Sequence, residues 1–337
     1  MSTHWCSSKF KAWGLTVLAI MASTVLFSCT MPHDGMPTSI TYWALKVVSA
    51  DGSAHWTISD GGTGPLLTDS AVVFVKGNGL FKVKYDGSNL TQLHQGPRWG
   101  YHSLSLNGKK VLLSSDLFEK SGYVIELYLM NPDGTNLVKL APAKGLYIWP
   151  RISPYLDEIA FLRDGSIATI NTDGTNFQYV RMKTDSTSCM FSLYVDQTHI
   201  LYTESVTSGS SISLRLFDKT NRQDKLVGVY SPGSFPLYGK AVVGSGFLLA
   251  ASDGIKIFNV YTSTFRTVGQ GWYASFSSDG SQIVGSKGKN IFTMNSDGSN
   301  VQTIYTEMDS TKGIINPQFS PDDRYVVFQS LWTSILR

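Results

Sequence analysis

Short apolar runs recur along the chain at near-constant spacing, each bracketed by small and polar residues. They are Val72-Val73-Phe74-Val75, Val111-Leu112-Leu113, Ile159-Ala160-Phe161-Leu162, Ile200-Leu201-Tyr202, Phe247-Leu248-Leu249, Ile283-Val284 and Tyr325-Val326-Val327-Phe328. The step between them averages about 42 residues. Runs this short, rich in β-branched and aromatic residues, predict buried strands. No long stretch shows helical periodicity.

A second signal repeats with the same period. Asp86-Gly87-Ser88-Asn89, Asp133-Gly134-Thr135-Asn136, Asp173-Gly174-Thr175-Asn176 and Asp297-Gly298-Ser299-Asn300 share one pattern. The first three lie 47 and 40 residues apart. The last gap is about three periods, which places two altered copies at Asp218-Lys219-Thr220-Asn221 and Val260-Tyr261-Thr262-Ser263. An earlier copy is Asp51-Gly52-Ser53. Asp-Gly between apolar stretches predicts a tight two-residue hairpin, because Gly accepts positive φ and Asp hydrogen-bonds its own backbone.

Each period therefore holds two hairpins, four strands in about 42 residues, which is the size of a propeller blade. A two-sheet sandwich would not repeat a turn so regularly. The fold predicted is an all-β, seven-bladed β-propeller of four-stranded antiparallel blades, with six blades as the alternative. The last period breaks off after two or three strands, and Thr41 to Ile58 supplies a turn with no hairpin before it. Together they predict one composite blade, inner strands from the C-terminus and outer strands from the N-terminus, which removes exposed sheet edges.

The first residues read differently. Residues 1–33 contain no Asp or Glu, Lys9 and Lys11 form a short positive region, and 13–27 are apolar or small. That apolar run is shorter than the roughly 20 residues of a spanning helix and fits a signal peptide. It ends in Leu26-Phe27-Ser28-Cys29, which resembles the bacterial lipobox, with Phe27 the departure. The resemblance implies a diacylglyceryl thioether on Cys29, cleavage before it and membrane attachment through the lipid. An ordinary secretory signal ending in a chance cysteine is the alternative. The expected organisation is a leader over 1–28, a lipidated tether over 29–39 and a propeller over 40–337.

Phe319-Ser320-Pro321-Asp322-Asp323, Ile152-Ser153-Pro154 and the Asp-Gly-Ser/Thr-Asn turns resemble the WD-like Pro-Asp repeats of TolB-type propellers. The resemblance implies a cell-envelope role in integrity or import. TolB-type proteins usually carry a separate N-terminal domain, for which the sequence shows no counterpart. Related repeats form the propeller of prolyl-oligopeptidase-type peptidases, but no Gly-x-Ser-x-Gly elbow is present.

Composition narrows the function. The chain has 28 basic and 25 acidic residues; without Lys9 and Lys11 the balance is 26 against 25, and no basic block marks a nucleic-acid footprint. Of three cysteines, Cys6 leaves with the leader, Cys29 takes the lipid and Cys189 is left as a small apolar filler. No His-Glu-x-x-His, Cys-x-x-Cys or EF-hand pattern occurs. His94 and His102 flank one predicted inter-blade connection without further ligands at metal spacing. Asp157-Glu158 and Asp322-Asp323 fall in turns where Asp serves backbone geometry. No cofactor, metal or catalytic group is expected.

Aromatics recur just before each predicted first strand: Trp99, Tyr101, Tyr147, Trp149, Tyr238, Trp272 and Tyr273. In a four-stranded meander the inter-blade connections and second-to-third loops share one end, so these side chains gather at one mouth, with long loops expected at 114–122 and 203–211. They serve there as a binding face or as wedges between blades. The resulting expectation is a monomeric, lipid-anchored cell-envelope propeller, exported to the cell membrane or outer membrane, that binds an envelope protein, peptide or glycan without catalysis. The alternative is a metal-dependent polysaccharide lyase or glycan hydrolase.

Overall fold

The computed structural model describes residues 39–95, 99–104, 110–119, 122–140, 147–153, 157–206, 211–230, 241–242, 246–251, 254–259, 261–262 and 264–335. The expected leader, Cys29 and the tether up to residue 38 lie outside them, as does Tyr238. Among the described residues there is no helix long and apolar enough to cross a membrane.

These residues form 28 strands in seven four-stranded antiparallel sheets. One sheet joins the two ends of the chain: β1 (Ser39–Ser49), β2 (His55–Asp60), β27 (Lys312–Phe319) and β28 (Tyr325–Ile335), in the order β27-β28-β1-β2. The other six sheets follow chain order. The first is β3 (Thr63–Leu67), β4 (Ala71–Lys76), β5 (Gly79–Lys84) and β6 (Thr91–Gln95). The second is β7 (Trp99–Leu104), β8 (Val111–Glu119), β9 (Gly122–Met130) and β10 (Val138–Lys139). The third is β11 (Tyr147–Ile152), β12 (Glu158–Arg163), β13 (Ser166–Asn171) and β14 (Gln178–Arg181). The fourth is β15 (Thr187–Tyr194), β16 (His199–Val206), β17 (Ile212–Asp218) and β18 (Gln223–Tyr230). The fifth is β19 (Ala241–Val242), β20 (Gly246–Ala251), β21 (Gly254–Asn259) and β22 (Thr264–Gly269). The sixth is β23 (Trp272–Phe276), β24 (Gln282–Lys287), β25 (Asn290–Asn295) and β26 (Gln302–Thr306).

The seven apolar runs are the second strands, as their composition predicts. Val72, Val73, Phe74, Ile159, Phe161, Ile200, Ile283, Val326 and Phe328 have no solvent exposure. Buried on both faces, they lose the alternation of a half-solvated strand. The repeated turns are the third-to-fourth connections, the two altered copies included. In the fifth sheet the turn starts one residue earlier than the sequence suggests: Asn259 Oδ1 accepts the Tyr261 N–H at 3.0 Å.

The turn geometry corrects one expectation. Positive φ falls on Gly87 (84°) and Asn89 (57°), not on Asp86. The Gly87 N–H donates to Lys84 O at 2.9 Å and the Lys84 N–H to Ser88 O at 3.0 Å. This is a turn followed by a left-handed glycine rather than a two-residue mirror-image hairpin. Asp86 Oδ1 accepts the Ser88 N–H at 2.8 Å, which keeps Asp itself out of the left-handed region. The hydroxyl and N–H of the Ser or Thr two positions on hold the carboxyls of Asp86, Asp133, Asp173, Asp218 and Asp297 below the usual carboxylate range.

A second regularity is invisible in the sequence. The outermost strand carries one extra residue against its partner in six sheets: Ile58, Leu93, Val180, Val227, Val268 and Ile304. In five of them, all but Val227, the bulge turns an apolar side chain off the edge and into the next sheet's core. Ile304 packs with Ile314 and Val326 of the composite sheet, and Val268 with Ile283 and Met294 of the sixth. The next sheet's turn glycine sits against this bulge. A Cβ on Gly298 would lie 2.3 Å from the Val268 carbonyl oxygen, and φ there is +93°. Gly298→Ala should therefore cost about 2 kcal/mol, by clash and by a backbone an L-residue resists. Gly288→Ala is the control, with φ +61° but nothing within 4 Å; it should lose only the backbone cost, about 1 kcal/mol. Urea denaturation of the two variants separates the effects.

Candidate binding site at the mouth

First-to-second and third-to-fourth turns share one end of every sheet, the turn end. Second-to-third turns and sheet-to-sheet connections share the other, the mouth end. Sheet packing places β3, β7, β11, β15, β23 and β27 innermost. Neighbouring inner strands touch: β3 with β7, β7 with β11, β11 with β15, and β23 with β27. The composite sheet also contacts β3 through β1 and β28.

These six inner strands break register at one equivalent place. Two residues face one at Gly64-Pro65 opposite Phe74, Gly100-Tyr101 opposite Ser114, Trp149-Pro150 opposite Phe161 and Met190-Phe191 opposite Thr203. The same holds for Tyr273-Ala274 opposite Gly285 and Asn316-Pro317 opposite Phe328. A bulge re-aims side chains and leaves backbone groups outside the ladder. Its first residue is left-handed in Gly64 (φ 59°), Tyr273 (φ 47°) and Asn316 (φ 53°). For a tyrosine that conformation costs about 1–2 kcal/mol. Backbone strain of this kind concentrates at working sites.

The candidate aromatics consequently sit within the first strands, not before them. Trp99 and Tyr101 belong to β7, Tyr147 and Trp149 to β11, and Trp272 and Tyr273 to β23. The side chains of the first four are outside the described residues. Trp272 is 50% exposed and Tyr273 is half-buried. Ser286 Oγ donates to the Trp272 carbonyl at 3.1 Å and fixes the strand just before the bulge. The indole is therefore held on a rigid element while its surface stays in solvent, which argues against a wedge between blades at this position.

The residue after each bulge is Leu66, His102, Arg151, Ser192, Ser275 or Gln318. Arg151 is half-buried, and burial pushes its guanidinium down from the usual arginine range. Ser192 is fully buried, and its hydroxyl has no hydrogen-bond partner among the described residues. The position after the bulge thus carries apolar, imidazole, cationic, hydroxyl and amide residues in different sheets. Sequence reading missed this row, because its members share position and not residue type.

The expected long loops are extended hairpins instead. β8 and β9 pair as far as Glu119 opposite Gly122, and β16 and β17 as far as Ser205 opposite Ile212. Both rise at the mouth end.

Groups suggestive of chemistry elsewhere have structural roles. Glu158 is buried, receives the Tyr194 hydroxyl at 2.6 Å and pairs with Lys219 at 2.5 Å, joining the third and fourth sheets. Asp323 accepts the Ser278 N–H of the sixth sheet at 2.8 Å. Asp196 holds His199 Nδ1 at 2.9 Å and accepts the Tyr261 hydroxyl at 2.6 Å, joining the fourth and fifth. Burial opposes ionisation of Asp196, but these bonds and the Thr198 N–H bring its carboxyl to about 2. Cys189 is buried, and burial pushes its thiol up to about 12. His94 lies on an outermost strand and His102 on an innermost one. Among the described residues no three His, Cys, Asp or Glu side chains form a metal-binding group.

This arrangement is a β-propeller, of the kind found in TolB. The chain is similar to a putative TolB from Agrobacterium tumefaciens at 13% identity and a TM-score of 0.52, covering 87% of this chain and 99% of that one. It is similar to a prolyl endopeptidase at 12% identity and 0.58, over 83% of this chain and 51% of that one. Porphyromonas gingivalis dipeptidyl peptidase 4 gives 12% and 0.53, over 75% and 48%. The chain spans about half the length of these two peptidases. No family model and no curated protein matches the sequence. At such identities the likeness shows the fold alone, and the neighbours include peptidases as well as a TolB protein.

Proposed function

We propose that the chain is a lipid-anchored, cell-envelope propeller of seven blades, closed by the composite blade, that binds an envelope protein, peptide or glycan at its mouth without catalysis. The observation that carries this reading is the repeated inner-strand bulge. Its backbone positions include Tyr101, Trp149 and Tyr273 in three sheets, and in the sixth it holds a strained Tyr273 beside an exposed Trp272, which supports an aromatic binding face. Aromatic faces supply large contact area at low entropic cost, and they stack on sugar rings and prolines. The Leu26-Phe27-Ser28-Cys29 motif supports the anchor and an exported location.

Trp272→Ala tests the site. Capture of the partner from native envelopes should weaken by roughly 1–3 kcal/mol, the range of a moderate hot spot. Its half-exposed indole predicts little change in melting temperature. Early unfolding, or undiminished capture by a stable variant, would remove the mouth as the binding site.

A further inference from the structure

The mouth end of the sixth blade carries a feature the partner-binding reading leaves unused. Met308, between β26 and β27, is 88% exposed, the most exposed of the large apolar side chains among the described residues. It follows Glu307, whose N–H donates to Lys289 O at 2.9 Å, so the connection lies against the Lys287-Gly288-Lys289 turn. Lys287 is exposed, and Lys289 Nζ donates to Asp309 O at 3.3 Å. The acidic neighbours are engaged. Glu307 is buried against Lys46 at 2.7 Å, and Asp309 pairs with Lys312 at 3.4 Å. Trp272 starts the inner strand of the same blade and is also exposed. Across the mouth, Met182 is 63% exposed and is followed by exposed Lys183 in another sheet-to-sheet connection. Apolar tips flanked by lysines, whose stems lie on apolar surface while the ammonium seeks phosphate, suit a headgroup layer.

The point where the chain enters the fold agrees. Ser39 pairs with Ile335, the last residue of β28, so β1 begins at the mouth end, in the sheet beside the sixth blade. Nine residues, 30–38, separate it from Cys29. Such a length spans at most about 35 Å.

We infer that Met308, Lys287 and Lys289 form a membrane-contacting rim that rests on an anionic phospholipid surface and turns the mouth toward the bilayer. The orientation rests on the lipid anchor at Cys29, and it places the partner of the mouth between propeller and membrane.

The test uses the mature chain carrying Cys29→Ser, so no lipid contributes. It should cosediment with phosphatidylcholine vesicles containing 30% phosphatidylglycerol and much less with phosphatidylcholine alone, the vesicle compositions being about those of a moderately anionic leaflet. Lys287→Gln with Lys289→Gln should lower partitioning roughly 25-fold, about fivefold for each charge. Met308→Ser should lower it further, whereas Leu90→Ser at the turn end should not. Failure of the parent to bind, equal binding to both vesicles, or unchanged binding by the lysine variant each overturns the rim. Cell fractionation of Cys29→Ser reads the anchor separately: should it distribute as wild type does, the anchor and the orientation fall, while the vesicle result still judges the patch.

Discussion

Deleting residues 317–337 is expected to abolish cooperative folding. The cut removes β28 and the end of β27. β28 is the seam of the composite blade, paired with β27 on one edge and with β1 on the other from Ser39↔Ile335 to Ser49↔Tyr325. Its Val326, Val327 and Phe328 have no solvent exposure, and Gln329 and Ser330 are buried with them. Removing three such side chains forfeits about 2 kcal/mol apiece. Their neighbours Leu45, Val47 and Val48 on β1 would open to water as well. The sum approaches the whole stability of a typical domain, about 5–15 kcal/mol. Neighbour contacts carry much of the stability of a repeat fold, so the loss spreads to the first and sixth blades. Thermal melts followed by circular dichroism should show no sharp transition, and the chain should bind hydrophobic dyes. A truncated chain melting as the parent does would mean that the terminal strands are an appendage.

The parts of this fold legible in the sequence are those fixed by local chemistry. A second strand buried on both faces must be apolar, so Val72-Val73-Phe74-Val75 and its six counterparts stand out. An Asp whose side chain holds the N–H two residues on, followed in four copies by Gly at positive φ and by Ser or Thr, makes the turns stand out too. Even the altered turns were findable by period, although Lys219 occupies the glycine position and Asn259 the aspartate position. The features that escaped depend on partners distant in the chain. Gly64-Pro65, Tyr273-Ala274 and Asn316-Pro317 have little in common as residues, yet all bulge opposite the middle of a second strand. The geometry demands the bulge, and any residue tolerating left-handed backbone or lacking an N–H can meet it. The aromatics of the mouth were visible, but their place inside the strands was not. The 114–122 hairpin read as a loop because Ser-Ser-Asp-Leu-Phe-Glu-Lys-Ser has no period-two alternation.

The pair that ties the composite blade to the sixth is beyond sequence reading, since 261 residues separate its members. Lys46 Nζ lies 2.7 Å from Glu307 Oε2, with side chains only 16% and 6% exposed. The Tyr305 hydroxyl accepts from Lys46 at 3.1 Å and donates to Glu307 at 3.1 Å, and Ser330 Oγ donates to the same carboxylate at 3.2 Å. Burial disfavours both charges, but their mutual contacts win. Lys46 is held above the usual lysine range and Glu307 below the usual carboxylate range. A depressed carboxyl stabilises the fold above its ordinary value of 4.5 and stops doing so as pH falls through the folded value. A raised amine stabilises below its ordinary 10.5 and stops as pH rises through the folded value. Between those limits both contributions are present. Lys46→Met leaves Glu307 buried with hydroxyl partners and no cation, and breaking such a pair costs about 3–5 kcal/mol. At pH 7 urea denaturation should show a loss of that size. Near pH 4 the loss should shrink, because the orphaned Glu307 can take a proton and needs no counter-charge. Lys46→Met with Glu307→Leu should recover much of the stability, since no buried charge remains. A loss below about 1 kcal/mol at pH 7, unchanged at pH 4, would be the behaviour of a solvated surface pair, and the seam would then be held by its apolar strands alone.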